Sequence, residues 1–191
     1  MHTGVVESIQ QFGRFSEAEI RDFTSRLQSR ALSKQSLLLD LGETCSSLYF
    51  VREGSFKHYR VNSDGEEIIL KLYVENNWVL DHQSFTAQKP SKNHIEAFED
   101  SQVWELPLCD LHELISMSPS FFALGRVFEK AAFDPAQRDP KVSPEKKYLT
   151  LLNTRPELIR RFPLKYIASY LGVAPETLSR VRKKVANTSI S

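Results

Sequence analysis

At 191 residues, with 41% apolar and 10% aromatic residues, the chain is long enough to bury a core and too apolar to stay disordered. No run of about eighteen apolar residues occurs, so no stretch is expected to span a bilayer as a helix. Cys45 and Cys109 lack CxxC spacing, which excludes a four-Cys cluster or zinc site and suits a reducing, cytoplasmic setting.

The formal charge of +1 hides a division. Residues 1–137 carry 13 Lys/Arg against 20 Asp/Glu, whereas residues 138–191 carry 12 against 4. The basic tail alone is therefore expected to meet a polyanion. The opening residues, MHTGVVESIQQFGRF, have no basic flank before an apolar core, so no secretory signal is expected there. Both thiols are expected as small core residues.

Ser16 followed three residues later by Glu19 reads as a capping box, opening an amphipathic helix over SEAEIRDFTSRLQSRAL. From Ser36 to about Leu106 short β-rich runs follow: LLLDL, SLYFVREG, SFKHYRV, EIILKLYV, NHIEAF and QVWELPL. Turn signals separate them at Gly42-Glu43, Glu53-Gly54, Asp64-Gly65, Asn76-Asn77 and Lys89-Pro90-Ser91. Regularly spaced short strands predict a sandwich or barrel. After Pro107, CDLHELISM predicts a short helix, and Ser118-Pro119 opens a longer one, SFFALGRVFEKAAF. In it Phe121, Leu124, Phe128 and Ala131 recur at three- and four-residue steps. That seam could pack against the body or against the same helix of a second copy, with Gly125 permitting close approach. Its position between two domains favours the second copy. DPAQRDPKVSP reads as a linker, and PEKKYLTLLNTRPELIRRF as two helices broken near Arg155-Pro156.

LKYIASYLGVAPETLSRVRKK carries the most information. Ile167, Leu171, Val173, Leu178 and Val181 form the apolar side of two helices joined at Gly172, with Ala168 small at their crossing. Pro175 suits a first helical position, where a missing N–H costs nothing. The second helix then turns Glu176, Thr177, Ser179, Arg180, Arg182, Lys183 and Lys184 away from that apolar side. Arginine can pair bidentately with guanine, and a carboxylate can accept from cytosine N4, so Glu176 and Arg180 are the expected base readers. Thr177, Ser179, Arg182, Lys183 and Lys184 are expected on the phosphate backbone, with Lys165 and Tyr166 at the start of the first helix adding contacts.

From Ser16 to about Lys184 the chain resembles a Crp/Fnr-family transcription regulator, especially the compact members whose second helix reads APETLSR. YFVREGSFKHYRVNSDGEEIILKLY resembles the core of the cyclic-nucleotide-binding-like β-roll. PLCDLHELI and SFFALGRVFEKAAF match the family's short helix and dimer helix. The resemblance implies an α+β chain: a double-stranded β-helix (jelly-roll-like) sensor over 1–115, a dimerisation helix and hinge over 116–137, and a helix-turn-helix domain over 138–191. The implied partners are double-stranded DNA, a second copy, RNA polymerase and a small-molecule effector, with no membrane and no cofactor. Its groove contacts carry over onto Glu176 and Arg180. The preceding position is Pro175 and cannot donate.

The sensor departs from the family pattern. The run that would hold ribose falls on Val79-Leu80-Asp81, and the pair that would hold phosphate on Ser91-Lys92, so only Asp81 keeps its chemistry. A missing charge-assisted arginine removes about 2–5 kcal/mol, so tight cyclic-AMP binding is not expected. Lys92 or Lys89 could substitute as a point charge, and Trp78 and Trp104 could line a pocket in the β-roll, although core packing is the commoner use of such aromatics. An effector other than cyclic AMP, or none, is the first expectation, and a cyclic-nucleotide-responsive regulator with a divergent pocket is the second. With so few cysteines, the iron–sulfur sensor of some relatives is not expected. The chain ends seven residues after Lys184, so a β-hairpin wing is not expected on that side. Two other classes remain: a ligand- or partner-binding β-roll module, and a cupin-like metalloenzyme. His58, His82, His94 and His112 are scattered without HxH, and no GxSxG or HExxH occurs, so no enzyme is expected.

Overall fold

The computed structural model describes residues 2–132, 139 and 141–188, with the side chains of residues 129–132 and 188 left aside. They form two compact units. One takes in the described residues of Met1–His58 and Tyr73–Phe133, the other those of Tyr59–Leu72 and Asp134–Ser191.

The described residues include two four-stranded sheets, and the arm Tyr59–Leu72 of the second unit contributes half of one strand and most of the next to one of them. One runs in the order β1-β8-β3-β6, from Gln28–Leu32, Ser101–Pro107, Ser47–Glu53 and Trp78–Val79. The other runs β2-β7-β4-β5, from Leu37–Leu39, His94–Ala97, Phe56–Val61 and Glu67–Tyr73. The architecture is α+β and jelly-roll-like. β3 lies antiparallel to β8, from Ser47 opposite Pro107 to Val51 opposite Val103. Its first five residues are all buried, which explains why SLYFV is apolar without alternation. The helix α1 (Thr3–Gln10) packs there, with Val5 and Ile9 buried.

Four of the five turns stand where the sequence signals them, whereas at Lys89-Pro90-Ser91 the chain runs extended and Pro90 bridges Thr44. Gly54, between β3 and β4, has φ +89°, a conformation L side chains rarely adopt. An added Cβ would lie 2.7 Å from Ser101 Cβ and 2.8 Å from the Asp100 carbonyl oxygen. Gly54→Ala is therefore expected to cost about 2–3 kcal/mol, read as a lowered urea midpoint at unchanged slope. A midpoint within error of wild type would show that the turn relaxes freely.

The capping box forms as expected, at the start of α2 (Glu17–Ser25). Ser16 Oγ accepts from the Glu19 N–H, and Glu19 Oε2 accepts from the Ser16 N–H at 2.7 Å. The Ser118 hydroxyl donates to the other carboxylate oxygen at 2.6 Å. That bond, then those from Ser16, hold the Glu19 carboxyl down to about 2. The helix stops at Ser25, however, and QSRAL becomes β1. Those residues are competent helix formers, but β8 offers a full ladder from Gln28 opposite Glu105 to Leu32 opposite Ser101. Pairing overrides weak local propensity. Neither α1 nor the short helix α3 (His82–Ala87) was foreseen.

The expected long helix after Ser118 also differs. α4 (Leu108–Met117) is followed by a 3₁₀ segment, Pro119–Leu124, before α5 (Gly125–Ala132). Phe121 and Leu124 are 0% and 1% exposed within their own protomer. Phe128 is half-buried and stacks on Phe85 at 5.2 Å. Of the two packings open to that seam, the body has taken Phe121 and Leu124, while Phe128 keeps part of its ring exposed. Gly125 is half-buried, with open space where a Cβ would stand. The Ala131 side chain, and the part of the hinge beyond residue 132, lie outside the described residues. Cys45 is in the core, where burial pushes its thiol up to about 11, but Cys109 is exposed.

The second unit holds α6 (Pro144–Thr154), α7 (Pro156–Arg161), α8 (Leu164–Leu171) and α9 (Pro175–Thr188). Ser143 caps α6, and the chain breaks at Arg155 as the Arg155-Pro156 signal predicts. The arm Tyr59–Leu72 belongs to this unit. The Ile69 N–H donates to Ser169 Oγ of α8 at 2.9 Å, and Arg155 Nη2 to the Leu72 carbonyl at 3.4 Å. β5 is an edge strand, and these two bonds occupy groups that an edge leaves open.

Candidate functional site

α8 and α9 meet at a tight turn. Gly172 caps α8 with φ +66° and ψ +40°, and its neighbour's N–H, on Val173, reaches back to the Ala168 carbonyl at 3.0 Å. Buried Lys147 of α6 donates through Nζ to the Leu171 carbonyl at 3.1 Å, a charge-assisted bond at the end of α8. Ile167, Ala168, Tyr170, Leu171 and Leu178 are fully buried beneath the pair. With Leu178 held inward, helical geometry turns residues 176, 180 and 183 outward along one stripe, about 6 Å apart for each four-residue step.

Burial along α9 follows that stripe. Glu176, Arg180, Arg182, Lys183 and Lys184 are exposed, while Thr177 and Ser179 are half-buried. Arg180 Nη2 donates to Thr177 Oγ1 at 3.3 Å, a short-range bond that steadies the guanidinium near the start of the helix. Lys184 Nζ pairs with Glu145 of α6 at 2.7 Å. Exposed pairs of this kind contribute about 1 kcal/mol or less, so a phosphate could displace the carboxylate. Lys165 is exposed and Tyr166 half-buried on the first turn of α8.

The interior of the β-roll is a different matter. Asp81 and Ser91, which the sequence places at the two halves of a ribose and phosphate cradle, do meet. The Ser91 hydroxyl donates to Asp81 Oδ2 at 2.7 Å. The rest of the carboxylate is equally committed: Asn93 Nδ2 donates at 2.9 Å, and the Gln83 and Ser84 N–H groups donate to Oδ1 at 3.1 and 3.2 Å. His58 Nε2 stands 3.8 Å from Oδ2. Burial alone would raise the Asp81 carboxyl, but His58, Ser91, Asn93 and the Ser84 N–H together hold it well below the usual carboxylate range. Asp81 thus serves as the cap of α3 and the hub of a closed polar cluster.

The other expected pocket residues do not join it. Leu80 is fully buried. Trp78 donates its indole N–H to Ser8 of α1 at 2.9 Å and lies edge-on to Phe50 at 5.2 Å, so it is core against α1. Lys89 and Lys92 are exposed. Lys57, buried on β4, is held 3.3 Å from Glu96. His58 and Asn93 were missed in the sequence; both sit on or beside strands, where a polar residue at an apolar-facing position was the available signal. Among the described residues no group of three His, Cys, Asp or Glu is placed to hold a metal ion. No described helix is long and apolar enough to cross a membrane.

Comparison with known proteins matches this architecture. The cyclic nucleotide-binding domain family matches residues 29–118. The transcriptional activator protein FnrA of Stutzerimonas stutzeri is 28% identical over 169 residues, covering 81% of this chain and 68% of that protein. The anaerobic regulatory protein of Pasteurella multocida is 24% identical over 181 residues, covering 85% of this chain and 64% of that protein. That of Aggregatibacter actinomycetemcomitans is 28% identical over 92 residues, so the chain spans only 35% of its length. FixK2 from Bradyrhizobium japonicum shares the fold with a TM-score of 0.67 at 18% identity, over 86% of each chain. The catabolite activator protein of Thermus thermophilus does so with a TM-score of 0.55 at 20% identity, over 93% of this chain and 87% of its own. The β-roll carries a match to the cyclic nucleotide-binding domain family, and with the helix-turn-helix pair it makes the chain similar to transcriptional regulators of the Crp/Fnr type.

Proposed function

We propose that the protein is a sequence-specific DNA-binding transcription regulator acting as a homodimer. The β-roll over 1–115 is its sensor, 116–137 joins the protomers, and 138–191 is the DNA-reading head. Glu176 and Arg180 read base edges, while Thr177, Ser179, Arg182, Lys183, Lys184, Lys165 and Tyr166 position the duplex. The observation that carries the reading is the stripe of α9: Glu176 and Arg180 exposed one turn apart above buried Leu178. Two copies set α9 into successive major grooves of a pseudo-palindrome, with half-sites about 34 Å apart.

Selection from a random-sequence duplex pool, followed by fluorescence anisotropy against salt, tests this. Lys183→Ala is expected to weaken selected and random duplexes by the same factor and to lower the log–log salt slope by about 0.9 per bound protomer. Binding that ignores salt would favour an apolar protein-docking module instead. A solitary protomer on the selected duplex would remove the dimer.

The effector is one other than cyclic AMP, or none, and the commitment of Asp81 to its own chain supports this. A cyclic-nucleotide-responsive regulator with a divergent pocket has one observation in its favour, the convergence of Asp81 and Ser91 at 2.7 Å. Calorimetric titration with cyclic AMP separates the two: no heat at millimolar nucleotide sinks the second reading, and saturable heat sinks the first.

A further inference from the structure

Gly172 is the joint between α8 and α9. Its φ of +66° and ψ of +40° set the angle between the two helices, and a residue without a Cβ resists rotation there least. The turn's own N–H groups answer carbonyls farther back: Gly172 donates to Ser169 at 3.1 Å and Val173 to Ala168 at 3.0 Å. The Leu171 carbonyl belongs to the peptide plane immediately before Gly172. It is held from outside the motif, by Lys147 Nζ at 3.1 Å. Lys147 stands near the start of α6 and is only 6% exposed, so little water competes for that carbonyl. Its charge also complements the negative end of α8. Glu145, from the same part of α6, pairs with Lys184 at 2.7 Å, farther along α9. α6 thus holds the pair at its joint and again beyond Arg180.

We infer, on the DNA-binding reading above, that Lys147 is a positioning residue for base recognition: through the Leu171 carbonyl it sets the angle at which α9 presents Glu176 and Arg180. Its buried ammonium touches no DNA. Arg180 lies about 7 Å along the helix from Pro175, so a tilt of about 10° moves its backbone by about 1 Å. A bidentate contact to a base edge tolerates about 0.5 Å, and such a tilt disrupts it. A phosphate contact depends chiefly on charge, whose reach is about 10 Å at 0.1 M salt, and it survives the same tilt. Lys147 therefore governs selectivity between duplexes and leaves the overall grip to the exposed cations of α9.

The test uses the full-length protein and two duplexes, one selected by the wild type and one of random sequence. Lys147→Met keeps an unbranched apolar stem in the buried site and removes the donor. It is expected to weaken the selected duplex about tenfold, within the range of one lost bidentate contact, and the random duplex by about twofold at most, at an unchanged salt slope. Lys147→Gln retains a neutral donor, about half as strong, so it should lose about threefold in the same way, and it serves if the methionine variant misfolds. Lys147→Arg retains a charged donor and should restore most of the selectivity. A second selection with Lys147→Met should return a site relaxed at more than one base pair per half, because the whole helix tilts. Equal loss on both duplexes would make Lys147 a stabilising residue alone. That result, undiminished selectivity, an arginine variant no more selective than methionine, or an unchanged recovered site each overturns the assignment. A wild type that prefers neither duplex removes the proposed function itself.

Discussion

Asp81→Ala is expected to destabilise the β-roll by about 3–5 kcal/mol, because it strands several donors at once. The Ser91 hydroxyl, the Asn93 amide and the Gln83 and Ser84 N–H groups all converge on that carboxylate. Buried donors left unmatched cost about 1–3 kcal/mol each where water cannot replace the partner. The chain's two tryptophans, Trp78 and Trp104, both lie in the first unit, so their fluorescence in urea reports its unfolding. The pH dependence carries a definite sign. The folded carboxyl is held below its unfolded value of about 3.9, so its stabilisation is present above that pH and is lost as pH falls. The gap between wild type and Asp81→Ala should therefore be full at pH 7 and narrow below about pH 4. A constant gap from pH 7 to pH 2.5 would mean that the carboxylate charge contributes nothing.

Arg180→Ala is expected to cost about 1–3 kcal/mol on the selected duplex, roughly 5- to 150-fold, with little change on random DNA. The asymmetry distinguishes it from Lys183→Ala, whose loss should be equal on both. The guanidinium lies one turn into α9, steadied by Thr177 at 3.3 Å, near the end of the helix that reaches base edges first. Repeating the selection with Arg180→Ala should return a site relaxed at one base pair per half. If the recovered site is unchanged, Arg180 touches only the phosphate backbone and the reader lies elsewhere.

The head was legible in the sequence because its constraints are local. A Gly between two short apolar-periodic runs and a Pro at a first helical position determine backbone geometry on their own. Gly172 and Pro175 take those roles in the structure. The turn at Asp64-Gly65, between β4 and β5, was legible for the same reason. What escaped depends on partners far along the chain. QSRAL becomes a strand because β8, more than seventy residues later, needs an edge. Phe121 and Leu124 repeat at a spacing that suits an interface and a core equally, and only the sheets beside them decide for the core. The absence of the arginine that grips phosphate was plain from the sensor's residues. Nothing in the spacing of Asp81, Ser91 and Asn93 announced that they would satisfy one another.

The bond from Lys147 to the last carbonyl of α8 has a consequence for evolution by recombination. The two helices that form the motif carry their turn with them, but the ammonium that steadies its far side is supplied from α6. Splicing LKYIASYLGVAPETLSRVRKK alone into a foreign host would strand that carbonyl in an apolar seam. The smallest heritable cassette therefore begins upstream of Lys147, and shuffling within it should be purged.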